Sequence, residues 1–176
     1  MREVSDKRVF FALWPDTELR QSLSQAAKTI PIRRPARRVP DYNLHLTLHF
    51  IGNVYLDQLS CLRQQARQVT GQGFDLLIDT QGCFRQARVA WLGCSELPAA
   101  LLQLHRQLGQ DLRQCGYRPE SRGYNPHVTV ARKLGAVSGQ AGFSALVWRV
   151  NNFVLIESRA TDIGVKYQVI DTYPLA

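Results

Sequence analysis

Nowhere in the 176 residues does an apolar run approach the roughly 20 residues that a membrane-spanning helix needs. That argues against a membrane protein. The opening stretch, Met1 to Lys7, is polar and charged and lacks the apolar centre of a secretory leader, so the cytoplasm is the expected location. No Cys-x-x-Cys pair occurs among Cys61, Cys83, Cys94 and Cys115, which leaves neither a zinc nor a dithiol motif. In a cytoplasmic chain these four are expected to be reduced thiols packed as small apolar groups. A His-x-x-x-His helix and carboxylate-rich clusters are also missing, so a metallohydrolase is the weakest functional reading.

Negative charge is scarce. Asp and Glu number 14 against 22 Lys and Arg, a net charge of +8. A basic surface attracts polyanions, which makes nucleic acid, nucleotides or an anionic membrane the candidate partners. The densest cluster is Arg33, Arg34, Arg37 and Arg38, where Pro31 and Pro35 impose a loop rather than a helix. It reads equally as a solvated loop or as an arm that contacts RNA. The composition, 45% hydrophobic, suits one compact domain over residues 1–176.

Val9–Trp14 (VFFALW) predicts a buried strand, and Asp16 or Thr17 an N-cap. Leu19, Leu23, Ala26 and Ile30 then mark an amphipathic helix. Leu44–Ile51 alternates apolar and polar residues, as a strand does. A second helix is expected from Leu56 to Val69, closed by Gly71-Gln72-Gly73. Phe74–Asp79 and Arg88–Leu92 predict strands joined by a turn around Gly82. A third helix begins after Ser95 as its N-cap and stops at Gly116. The remaining strands are expected at His127–Ala131, Trp148–Ile156 and Val165–Asp171, the last two as antiparallel neighbours.

Two stretches repeat. Strand FFALW, helix, basic loop and strand HLTLHFIG in the first half match strand RVAWLG, helix, basic loop and strand HVTVARKLG in the second. The repeat predicts a duplicated α+β fold of two strand–helix–strand lobes, with the paired His-x-Thr-x segments face to face. Two-residue spacing puts His45 and Thr47 on one strand face, and His127 and Thr129 on one face of the other. Two imidazoles and two hydroxyls around one cleft suit phosphodiester chemistry. One group takes a proton from the attacking oxygen while the other gives one to the leaving oxygen. The threonines can hold the non-bridging oxygens. A structural coincidence is the alternative, and the double occurrence argues against it.

At these residues the sequence resembles the two-histidine phosphoesterase superfamily, and within it the bacterial RNA 2′,3′-cyclic phosphodiesterases, also called 2′-5′ RNA ligases. The resemblance rests on FFALWP, NLHLTLHFIG, RVAWLG and PHVTVAR, with a late Glu157-Ser158, Gly164, Tyr167 and Leu175. It implies a bilobal α/β fold with two antiparallel sheets around a central cleft, helices outside, and neither metal nor nucleotide cofactor. It implies His45 as proton donor and His127 as proton acceptor, an order that near-symmetry leaves reversible. The implied substrate is RNA ending in a 2′,3′-cyclic phosphate, tRNA halves among them, opened to a 2′-phosphate. With a 5′-hydroxyl in place of water, the same site would form a 2′-5′ bond without ATP. The prolines usual near Phe84-Arg85-Gln86-Ala87 are absent here. Arg132 follows the second motif as a phosphate-contact candidate, but strict alternation sends it away from His127 unless the strand bulges.

His49 shares the expected face of His45 and Thr47 and is a second phosphate-contact candidate, the alternative being an exposed strand-end histidine. The two lie too far apart on a strand to share a metal. His105 reads as structural on the third helix. Phe11, Trp14 and Trp91 read as core. Tyr124, just before the second motif, is the candidate for stacking on a base. A monomer is expected. The competing functions are a phosphodiesterase of small cyclic nucleotides or 2′-5′ oligonucleotides, and a non-catalytic RNA-binding module.

Overall fold

A computed structural model describes residues 7–135 and 142–176; the reading of the polar N-terminus falls almost wholly outside them. The first half contains β1 (Lys7–Leu13), α1 (Thr17–Lys28), β2 (Arg37–Arg38), β3 (Leu46–Val54), α2 (Leu56–Ala66) and β4 (Phe74–Ile78). The second contains β5 (Thr80–Phe84), β6 (Val89–Gly93), α3 (Ala99–Asp111), β7 (His127–Arg132), β8 (Leu146–Val150), β9 (Asn152–Thr161) and β10 (Gly164–Pro174). No helix among the described residues is long and apolar enough to cross a membrane.

The α+β architecture and its antiparallel sheets are those expected. The two sheets are not divided one to a lobe, however. The larger runs β10-β9-β1-β3-β7-β6-β5 with β2 beside β7, and β4 pairs with β8 in the smaller. The repeated units β1-α1-β3 and β6-α3-β7 form the two halves of the larger sheet. They meet at one pair, Leu46 opposite Val128. One sheet face and all three helices close around the main core, where Phe11, Leu23, Leu46, Leu62, Leu92, Leu101 and Val128 are fully buried. The other face carries a small cluster of Phe10, Ala12, Val154 and Ile156.

Local chemistry explains two helix boundaries. Asp16 caps α1 by accepting the Leu19 N–H at 2.8 Å. After α3 and a 3-10 turn over Leu112–Cys115, Gly116 takes φ of +79°, a left-handed stop that glycine accepts freely. Five expectations need correction. The second helix ends at Ala66, three residues short of Val69, although Val69 is still buried. Ser95 is not a cap: its N–H and hydroxyl bond the Asp79 carboxylate, and α3 begins behind Pro98. Gly82 lies inside β5 rather than in a turn, opposite Trp91, whose indole occupies the space of a Cβ. The chain reverses at 85–88 instead. Trp148–Ile156 is two strands, β8 and β9, broken at Asn151. Finally, Cys61 and Cys115 form a disulfide with Cα atoms 5.7 Å apart, and only Cys83 and Cys94 are free. The sequence pattern sees no proximity between cysteines 54 positions apart; α2 and the 3-10 turn after α3 supply it.

Candidate active site

Both motifs begin with an asparagine two residues before the histidine. In each, the backbone carbonyl of that asparagine accepts the imidazole Nδ1–H, at 2.7 Å for Asn43 and His45 and 2.8 Å for Asn125 and His127. A carbonyl only accepts, so the proton sits on Nδ1 and the neutral rings carry a bare Nε2 lone pair. On His45 that lone pair takes the Thr47 hydroxyl at 3.0 Å. The Asn43 side chain is spent elsewhere: it donates to the Val165 carbonyl and accepts the Tyr167 N–H, tying the motif to β10. The repeated asparagine was visible in the sequence as a signal; its use of the carbonyl was not.

Each imidazole rests on aromatic rings. His45 lies against Phe10 (4.9 Å between centroids), the edge of Tyr167 (5.1 Å) and the indole of Trp14 (6.2 Å). Trp14 is therefore not simply core. His127 meets Phe84 edge-on at 4.9 Å, and Phe84 in turn packs on Trp91. Burial pulls the His45 pKa down to about 4, against the pull of the Asn43 carbonyl, and the positive charges of Arg132 and His127 lower it further. His127 is also lowered, by burial first and then Arg132, with the Asn125 carbonyl opposing. Both rings are thus poised as neutral groups that take a proton only against a gradient, until an anion arrives.

Sheet register brings the motifs together. With Leu46 opposite Val128, antiparallel pairing sets His45 across from Thr129 and Thr47 across from His127. Both strands then bulge directly after the threonine. Leu48 has no partner on β1, because Thr47 pairs with Ala12 and His49 with Phe11. Val130 has none on β6, because Thr129 pairs with Trp91 and Ala131 with Ala90. A bulge adds one residue and reverses which face the following side chains take.

That reversal decides three candidates. Arg132 returns to the face of Thr129 and lines the cleft, as the bulged alternative required. His49 goes the other way, a correction to its placement beside His45. It is only 4% exposed, hydrogen-bonded to the Tyr117 hydroxyl and to the His105 carbonyl (2.7 Å). Phe50 takes the cleft position instead. Tyr124 is corrected as well. It stacks on His105 at 3.7 Å rather than waiting for a base, and its hydroxyl donates to the Thr47 carbonyl. His105 continues the stack onto His49 at 4.1 Å, consistent with a structural role.

The cleft has a volume of about 760 Å³, and His45, Thr47, Thr129 and Arg132 line it with Phe10, Phe50 and Tyr167. His127 is not part of this wall; it stands half-buried beside Phe84, near enough for its charge to act on His45. Among the described residues five cations line the cleft, Arg8, Arg37, Arg38, Arg132 and Lys133, and no carboxylate does. Among the described residues no group of three or more His, Cys, Asp or Glu converges to hold a metal ion. A cleft of this kind can bind a phosphate and exchange protons across it.

A sequence model of the 2′-5′ RNA ligase superfamily matches residues 15–162, and the chain belongs to that superfamily. An RNA 2′,3′-cyclic phosphodiesterase of Escherichia coli K12 is 32% identical over 126 residues, 72% of each chain. A protein of the same description from Thermotoga maritima is 27% identical over 93% of this chain and 92% of its own. Among solved structures, E. coli LigT complexed with 3′-AMP superimposes with a TM-score of 0.89 at 29% identity, covering 98% of this chain and 99% of its own.

Proposed function

We propose that this chain hydrolyses the 2′,3′-cyclic phosphate at RNA ends to a 2′-phosphate, with His45 and His127 as its acid and base. The paired imidazoles, each locked with Nδ1–H on a carbonyl so that Nε2 is the atom left to exchange protons, with Thr47 Oγ1 beside it on His45, carry the reading. His127 Nε2 takes a proton from water as its oxygen bonds to phosphorus. The bond from phosphorus to O3′ breaks, and His45, protonated at Nε2, gives that proton to O3′. The two roles are exchangeable in a site this symmetric. Thr47, Thr129 and Arg132 hold the non-bridging oxygens, where negative charge builds up in the transition state. The strained cyclic ester leaves proton transfer as the main demand, and one positioned acid or base supplies roughly a hundred- to ten-thousandfold.

The basic cleft and the relatives named RNA 2′,3′-cyclic phosphodiesterase support RNA as substrate. If a 5′-hydroxyl enters in place of water, the same proton transfers join two RNAs through a 2′-5′ bond. Halves of a cleaved tRNA present the two ends required. Small nucleotides form the second reading, favoured by the 3′-AMP found with LigT.

The test is incubation, in EDTA, with an RNA oligonucleotide ending in a 2′,3′-cyclic phosphate. The expected product carries a terminal phosphate that resists a 3′-specific phosphatase. RNA that binds without turning over would leave the chain a binding module.

A further inference from the structure

Arg37 and Arg132 stand directly opposite each other on β2 and β7. Directly opposed residues of an antiparallel pair share a face, with Cβ atoms about 4.5–5.5 Å apart, and like charges there repel. Among the described residues, neither arginine makes an ion pair and no carboxylate lines the cleft that both enter. Arg38, the next residue, behaves differently. Its guanidinium donates to the Ala27 and Ile30 carbonyls at the end of α1, at 2.6 and 2.9 Å. The Val39 N–H donates to the Val130 carbonyl. The short strand is thus anchored on both sides of its backbone, and Arg37 is its free charge. Two cations held together without a counter-ion form a place for more negative charge than one phosphate brings. The reacting cyclic diester carries a single charge, which Arg132, on the face of Thr129, can meet alone.

We propose that Arg37 binds the 5′-phosphodiester joining the terminal nucleoside to the one before it, and so selects RNA ends over free nucleoside 2′,3′-cyclic phosphates. The inference rests on the phosphodiesterase reading and deepens it. Side by side, two long guanidinium stems grip successive phosphates of one strand, each by charge-assisted hydrogen bonds. Arg8 cannot substitute, being laid over the Phe50 ring on the other lobe.

The test compares wild type, Arg37→Gln and Arg37→Lys on uridine 2′,3′-cyclic phosphate and on a short oligonucleotide with the same end. Arg37→Gln is expected to lower the oligonucleotide-to-nucleoside ratio of kcat/KM about tenfold, through KM, with partial rescue in Arg37→Lys. The slope of log KM against log salt for the oligonucleotide should fall by about one. An unchanged ratio, whether because both substrates suffer alike or because neither does, overturns the assignment. Fluorescence anisotropy with a 3′-phosphorylated oligonucleotide separates this outcome from failure of the enzyme reading. If wild type turns over nothing but binds that probe about tenfold more tightly than Arg37→Gln, the enzyme reading fails and Arg37 keeps its role. Equal binding removes it.

Discussion

Leu46 and Val128 form the one backbone pair that joins β3 to β7, and the two His-x-Thr segments straddle it. The paired motifs therefore meet because two half-sheets touch at their centre, not because either lobe encloses a site. Each histidine answers to its own lobe for orientation, His45 to Asn43 and His127 to Asn125. Replacing either by Ala should leave the far-ultraviolet circular dichroism unchanged while turnover falls roughly a hundred- to ten-thousandfold. The double replacement should cost little more than the worse single one, since the two act as a unit. Full activity in either single variant would remove the paired mechanism.

The pH profile should betray the lowered imidazoles. One ring must carry a proton and the other must not, and both free-enzyme values lie below the ordinary 6.5. Raising the pH above 6.5 then empties the acid without further benefit from the base. The kcat/KM on a nucleoside 2′,3′-cyclic phosphate should thus decline steadily from pH 6.5 to 8. Arg132 lowers both rings by its charge, so Arg132→Gln should shift both limbs of the profile upwards whatever it does to the height. A wild-type kcat/KM that holds level or rises up to pH 7 before falling contradicts this picture.

Much of the fold was legible because periodicity and repeat agree: VFFALW, the α1 stripe and both His-x-Thr-x strands were placed within three residues. So were the cleft faces of His45, Thr47 and Thr129. What could not be read was a change of register. Alternation assumes one residue per partner, and the unpaired Leu48 and Val130 break that count, burying His49 and returning Arg132. Nor does local pattern reveal partners distant in sequence. Phe84 against His127, Tyr124 on His105 and Cys61 with Cys115 all depend on packing between separate elements.

The stacked His49 and His105 make a second acid-sensitive point, in the core. Burial holds His105 at about 4, with the charge of His49 adding to the effect, and burial also lowers His49. Depressed values in the folded chain mean that the unfolded chain takes up protons first as pH falls. Their contribution to stability is complete above pH 6.5 and is lost as pH drops towards 4. His105→Phe, which keeps a ring between Tyr124 and His49, should flatten the fall of the urea midpoint over this range. An unaltered slope would show that other groups govern it.

Gly109 explains how a helix accommodates that buried imidazole. A Cβ there would lie 2.8 Å from Cε1 and 3.0 Å from Nε2 of His49, whose ring is already fixed by Tyr117 and the His105 carbonyl. Alanine improves an interior helix position by about 1 kcal/mol. Forcing a side chain into a filled core typically costs about 1–3 kcal/mol. Gly109→Ala should therefore be net destabilising in urea, against its helix preference. The pair Gly109→Ala with His49→Ala should be less destabilised than the sum of the single changes.

Gly82 protects the other histidine by the same kind of close approach. A methyl group on Gly82 would overlap the Trp91 indole, and Trp91 packs on Phe84, which packs on His127. Gly82→Ala must push the indole aside, and the displacement passes through Phe84 to the imidazole. The expected result is destabilisation of about 1–3 kcal/mol together with a fall in kcat larger than any rise in KM, because His127 is turned rather than the phosphate released. Phe84→Leu, which removes the ring face without the clash, should reproduce the kcat defect with a smaller loss of stability. If Gly82→Ala loses stability but keeps its kcat, the aromatic column supports the sheet and does not orient His127.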